Sequence, residues 1–132
     1  MLLENFESSY VLGMEEMDNT HREFVTLLNQ LDTASKSDFI PLFAQLLEHT
    51  QAHFDTETEW MQTCNFPAIR EHIGEHKRVL GELQRFNSRV AKGNITMGRA
   101  YVQNQLPSWF ESHAQTMDSA LAANMKAHKG QA

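Results

Sequence analysis

Residues 69–90, IREHIGEHKRVLGELQRFNSRV, decide the fold. Ile69, His72, Ile73, His76, Val79, Leu80, Leu83, Phe86 and Val90 recur every three or four positions, the period of one face of an α-helix. Two histidines stand within that apolar stripe. Gly93 follows as the residue that ends the helix in a left-handed turn.

Outward from this segment the same period returns three times. His21, Phe24, Val25, Leu28 and Leu31 mark a helix to about Ala34, with Asp18 as its N-cap. Ser35 to Ser37 read as a polar turn. A helix from near Asp38, with Pro41 in its first turn, carries Leu42, Leu46, His49, His53, Glu57 and Trp60 on one stripe. Cys64-Asn65-Phe66-Pro67 breaks it. The last helix runs from about Ile95 to Lys126. Pro107 removes the bond to Gln103, so a kink or restart is expected near Leu106. Leu106, Trp109, Phe110, His113, Met117 and Leu121 form its inner face. Residues 1–17 read as an extended N-terminal arm. Residues 127–132 read as a frayed tail with His128 exposed. Short connections make this an all-α, antiparallel up-down-up-down four-helix bundle, a single domain over 1–132.

Composition narrows the function. The formal charge of −6 argues against a nucleic-acid partner. No apolar run is long enough for a membrane span, the N-terminus lacks a signal-peptide pattern, and Cys64 is the lone cysteine. A cytoplasmic protein is expected.

The chemistry lies in five of the seven histidines. Positions four apart on a helix differ by about 40°, so His53 with Glu57, and His72 with His76, each reach one place. Ionised groups in an apolar core cost several kcal/mol each unless compensated, and metal ions compensate them directly. Imidazole with carboxylate suits Fe, Mn or Zn. His113 and Asp118 are five apart, about 140° on a regular helix; a π-turn between them would bring them together. Two octahedral ions offer roughly twelve positions. Five imidazoles fill five, two bridging carboxylates four and one oxo or hydroxo bridge two, which leaves one position open for a small ligand.

These motifs resemble the hemerythrin family, in particular the bacterial single-domain members. Met17-Asp18-Asn19-Thr20-His21, His53-Phe54 with Glu57 and Met61, the His72–His76 pair, and Trp109 with His113 and Asp118 match in order over nearly the whole chain. The resemblance implies two non-heme Fe ions with an oxo or hydroxo bridge. His72, His76 and His113 would hold one ion, His21 and His53 the other, and Glu57 and Asp118 would bridge them. It implies reversible O₂ binding at the two-histidine ion, for carriage, storage or delivery, with peroxide, NO and azide as other ligands. Phe24, Phe54, Trp109, Phe110, Ala114 and Met117 are the candidate pocket lining. Thr58 replaces the family's second Glu. Phe110 and Ala114 stand where the family often has Leu and Ile. This departure motivates the alternatives of a di-iron peroxidase or oxidase and an NO-handling protein. An O₂ sensor module is a further alternative. His49, one turn before His53, reads as a neighbour of the site, and Tyr10 and Tyr101 as packing residues.

Overall fold

The computed structural model describes residues 11–131; most of the expected N-terminal arm, including Tyr10, lies outside them. The described residues form α1 (Glu15–Thr33), α2 (Lys36–Thr63), α3 (Ile69–Ala91), α4 (Thr96–Asn104), α5 (Leu106–His113), a π-helical turn (Ala114–Asp118) and α6 (Ser119–Gln131). The last four make one interrupted rod. It closes a four-helix bundle in which α1 packs on α2, α2 on α3, and α4 on both α3 and α1. No helix among the described residues is long and apolar enough to cross a membrane.

The start of α1 corrects the sequence reading. The helix begins at Glu15, inside the expected arm, and Asp18 is not its cap. Glu15, Glu16 and Asp18 lie in the first turn, where carboxylates oppose the positive end of the helix dipole. The buried Asp18 carboxylate reaches back to accept from the Leu12 N–H at 2.8 Å and the Gly13 N–H at 3.1 Å. Gly13, at φ +83°, makes that return possible, and a Cβ there would run into the Lys126 ammonium. The tail also differs. Instead of fraying from Ala127, α6 continues to Gln131, with His128 and Lys129 in its last turn, the end where cations are favoured. His128 is exposed as expected.

Ser35 caps α2 by accepting from the Asp38 N–H at 3.2 Å. The helix therefore starts two residues earlier than expected, and Pro41 falls in its second turn. Pro41 and Ser37 are both exposed, so the hydrogen bond that proline cannot make faces solvent. The buried line of α2 is Phe39, Phe43, Leu46, Thr50, Phe54, Glu57 and Met61. The expected stripe is thus displaced by about one residue. Leu42, His49, His53 and Trp60 flank the buried line, because α2 lies between two neighbours and faces the gap between them. The α3 end matches expectation. Gly93, at φ +94°, donates to Val90 O and Asn94 donates to Arg89 O, the paired bonds of a Schellman motif.

The restart around Pro107 is present. The Gln105 N–H still bonds Tyr101 O at 3.0 Å, and α5 begins at Leu106 with the proline in its first turn. Leu106, Phe110, His113 and Leu121 are buried, whereas Trp109 and Met117 are only half-buried. Met117 leaves the inner face because the π-turn adds a residue there. Tyr101 is buried and stacks on Phe86 at 4.5 Å.

The core is divided. A larger apolar cluster holds Phe24, Leu28, Phe39, Phe43, Leu46, Phe54, Val79, Leu83, Phe110 and Ala114. A smaller one holds Met17, Met61, Cys64, Phe66, Leu121, Ala122 and Met125. On each helix the polar residues fall between these clusters: His21 after Met17, Glu57 before Met61, and Asp118 before Leu121. They form a single hydrophilic layer across the bundle.

Candidate metal centre

All seven sequence-derived candidates meet in that layer. Glu57, His72, His76, His113 and Asp118 converge in one group, and His21, His53, Glu57 and Asp118 in a second. The two groups share both carboxylates, and the sharing is oxygen by oxygen. Glu57 Oε1 lies 3.3 Å from His72 Nε2 and 3.2 Å from His76 Nε2, while Oε2 lies 2.7 Å from His53 Nε2. Asp118 Oδ1 lies 3.0 Å from His72 Nε2 and 3.1 Å from His113 Nε2, while Oδ2 lies 3.0 Å from His21 Nε2. Together Glu57 Oε1 and Asp118 Oδ1 meet three histidines, His72, His76 and His113, and Glu57 Oε2 and Asp118 Oδ2 meet two, His53 and His21.

The π-turn at Ala114–Asp118 is what delivers the last pair. Its wider winding absorbs the fifth residue between His113 and Asp118 and leaves both buried.

The donor atoms fit metal ions better than they fit one another. Glu57 is fully buried, yet neither of its oxygens makes an aligned hydrogen bond, and the same is true of Nε2 in His21, His76 and His113. Buried polar atoms are rarely left this way. Two donors about 2.1 Å from a shared ion, a right angle apart, lie about 3.0 Å from each other. Five of the six nitrogen–oxygen separations above, 3.0 to 3.3 Å, match that edge length or slightly exceed it.

The electrostatics of the protein alone point the same way. Burial and the neighbouring Asp118 push the Glu57 carboxyl up, but the imidazoles of His53 and His72 hold it far below the usual range. Asp118 is likewise held well below, against burial, by His113, His21 and His72. Burial pushes His72 down, yet Asp118 and Glu57 raise it to about 9. His53 is raised against burial by Glu57. Burial wins at His76, which is lowered. Without ions the two carboxylates favour the protonated forms of His72 and His53.

Aromatic rings enclose the layer. Phe110 meets His21 edge-on at 5.2 Å and stacks on Phe24 at 5.1 Å. Phe54 stacks on His76 at 3.7 Å, and Trp109 on His113 at 4.6 Å. Of the candidate lining, Phe24 and Phe110 therefore stand at the two-histidine side, and Phe54 and Trp109 at the three-histidine side. Ala114 is buried, and the half-buried Met117 lies off the inner face.

His49 stays outside both groups. Its Nε2 lies 3.2 Å from Thr20 O and its Nδ1 lies 3.5 Å from Glu23. It helps line a cleft of about 400 Å³ between α1 and α2 that also touches His53. Sequence reasoning missed Glu75. It accepts from the Trp109 indole N–H at 2.7 Å, and Arg78 grips it at 2.7 and 3.2 Å. The Arg78 guanidinium, and then the Trp109 hydrogen bond, lower Glu75 to about 2. The signal in the chain was a Glu–Arg pair three apart on a solvent-facing side, which is common on helices without any role at a site.

A sequence profile described as the Hemerythrin HHE cation binding domain matches residues 12–124. A bacteriohemerythrin of Ralstonia nicotianae is 37% identical over 107 residues, 81% of this chain and 77% of that protein. A bacteriohemerythrin of Aquifex aeolicus is 31% identical over 114 residues, 83% of this chain and 87% of its own. A hemerythrin subunit of Sipunculus nudus is 26% identical over 115 residues, 86% of each chain. No solved structure matches the chain significantly.

Proposed function

The chain belongs to the hemerythrin HHE cation-binding family, and from that premise we propose that it is a non-heme di-iron protein that binds O₂ reversibly. The observation that carries this reading is the division of Glu57 and Asp118: one oxygen from each faces the group of His72, His76 and His113, and the other faces His21 and His53. His72, His76 and His113 would hold one ion, and His21 and His53 the other. Glu57 and Asp118 would bridge the pair. When bound, two ferrous ions supply the two electrons with which O₂ is taken up and recover them on its release.

The residues of the chain do the rest. The two carboxylates offset half the charge of two divalent ions, which keeps the buried centre modestly positive. The two-histidine side has fewer donors, so the open position falls there. Phe24 and Phe110 line that side with apolar surface, and both are buried. They exclude the water and protons that turn uptake of O₂ into its irreversible reduction. Phe110 and the small Ala114 are both buried in one apolar cluster, which favours carriage over the peroxidase or oxidase alternative.

Iron analysis with an optical spectrum tests the reading. The expected result is two irons per chain and a visible charge-transfer band. The band should appear when O₂ meets the reduced protein and vanish on deoxygenation. A band that never forms, or that forms only once, would overturn reversible carriage. Sustained turnover of peroxide with a reducing dye would favour the enzyme instead.

A further inference from the structure

Imidazoles that bind metals are as a rule oriented by a hydrogen bond from the ring nitrogen that faces away from the ion. This layer is built differently. Nδ1 of His21, His72, His76 and His113 is buried and has no hydrogen-bond partner among the described residues. Each of these rings instead has its own aromatic neighbour: Phe110 for His21, Phe66 for His72, Phe54 for His76 and Trp109 for His113. Ring pairs favour offset-stacked or edge-on arrangements, and so bias the plane of the imidazole.

The three phenylalanines are buried and held by packing. Trp109 is only half-buried, so packing leaves one edge of its ring unsupported. A polar chain supplies the support. The indole N–H donates to Glu75 Oε1 at 2.7 Å. Arg78 donates to both Glu75 oxygens and to Glu82 at 2.6 Å. Glu75, Arg78 and Glu82 sit three and four residues apart on α3 and so share one face. Glu75 directly precedes His76. One helix thus carries His76 and, through Glu75 and Trp109, also steadies His113 on the helix opposite.

We propose that Glu75 is a positioning residue of the metal centre, acting through Trp109 to fix the His113 imidazole at the three-histidine ion. The proposal rests on the two-ion reading above. It differs from a general stabilising role in one respect: it concerns one ion and not the other.

Stepwise binding of Co²⁺ to the metal-free full chain, measured by chelator competition and by the visible Co²⁺ spectrum, tests it. Glu75→Ala removes the acceptor. Trp109→Phe keeps a stacking ring and removes the donor. Each should weaken one of the two Co²⁺ sites about 10–100-fold, the range seen when partners behind a ligand are lost, and leave the other unchanged. Glu75→Gln keeps a carbonyl acceptor and should recover most of the Glu75→Ala loss. The double variant Glu75→Ala, Trp109→Phe should be no weaker than either single one. Unchanged affinities in Glu75→Ala overturn the proposal. So does an equal loss at both sites, which is what a merely loosened bundle produces. A wild-type chain that takes up fewer than two Co²⁺ ions overturns the two-ion reading instead, and the proposal with it.

Discussion

Stripping the ions should invert the pH dependence of stability. His72 is fully buried between Glu57 and Asp118, and in the metal-free protein its pKa rises from 6.5 to about 9. A raised imidazole pKa contributes stability that is complete below the unfolded value of 6.5 and is lost as pH climbs through 9. At about 1.4 kcal/mol for each step of one in pKa, a rise from 6.5 to about 9 amounts to roughly 3 kcal/mol. At about 3–5 °C per kcal/mol for a chain of this size, Tm should fall by roughly 10 °C between pH 6 and pH 9.5. His53 is shifted the same way and adds to the fall. His76 is lowered, so its contribution is a penalty confined to pH below 6.5. Glu57 and Asp118, held low, contribute stability above about pH 4 that disappears on further acidification. Metal binding requires deprotonated imidazoles, so the loaded protein should gain stability over the range in which the stripped protein loses it. Thermal unfolding by circular dichroism from pH 5 to 9.5, with and without bound metal, reads both slopes. A flat metal-free profile, or two slopes of the same sign, would refute the raised pKa values of His72 and His53.

Arg99 donates to the Leu31, Asp32 and Ala34 carbonyls that end α1 and lies over the Phe39 ring. Arg99→Ala should therefore cost about 2 kcal/mol in unfolding free energy without changing metal stoichiometry. Loss of metal in that variant would show that the bundle end and the site are coupled. Ala114→Ile enlarges a fully buried side chain in the apolar cluster that holds Phe24 and Phe110. It should cost about 1–3 kcal/mol through overpacking and slow autoxidation of the oxygenated protein; faster autoxidation would mean that Ala114 does not help seal the open position. His49→Ala should leave the stoichiometry and the charge-transfer band intact, and a missing ion in that variant would make His49 a ligand.

Much of this architecture was legible because metal ligands and apolar residues obey the same helical period. His72 and His76 sit in the α3 stripe, and the spacing of five between His113 and Asp118 announced the π-turn by itself. Legibility failed where tertiary contacts choose between equivalent local options. Asp18 has the chemistry of an N-cap, but its carboxylate serves the Leu12 and Gly13 amides instead. Two apolar lines run along α2, and only packing between α1 and α3 selects the one through Phe39, Phe43 and Phe54. Met117 falls off the inner face because the π-turn that brings Asp118 inward displaces its neighbour. Glu75 was illegible for another reason. Its role depends on an indole 34 residues away in sequence, and no local pattern encodes that contact.

The hydrophilic layer has a consequence for cooperativity. A bundle with one continuous core melts as a unit, but here the helices run through two apolar blocks whose side chains are separated by a layer of imidazoles and carboxylates. Ions would weld that joint, and protons weld it less firmly. The smaller block, with Met17, Met61, Leu121 and Met125, has fewer apolar partners to hold it. On metal loss its amides should exchange with solvent while those around Phe43 and Leu83 stay protected. One domain would then open as two foldons, with the metal layer as the boundary between them.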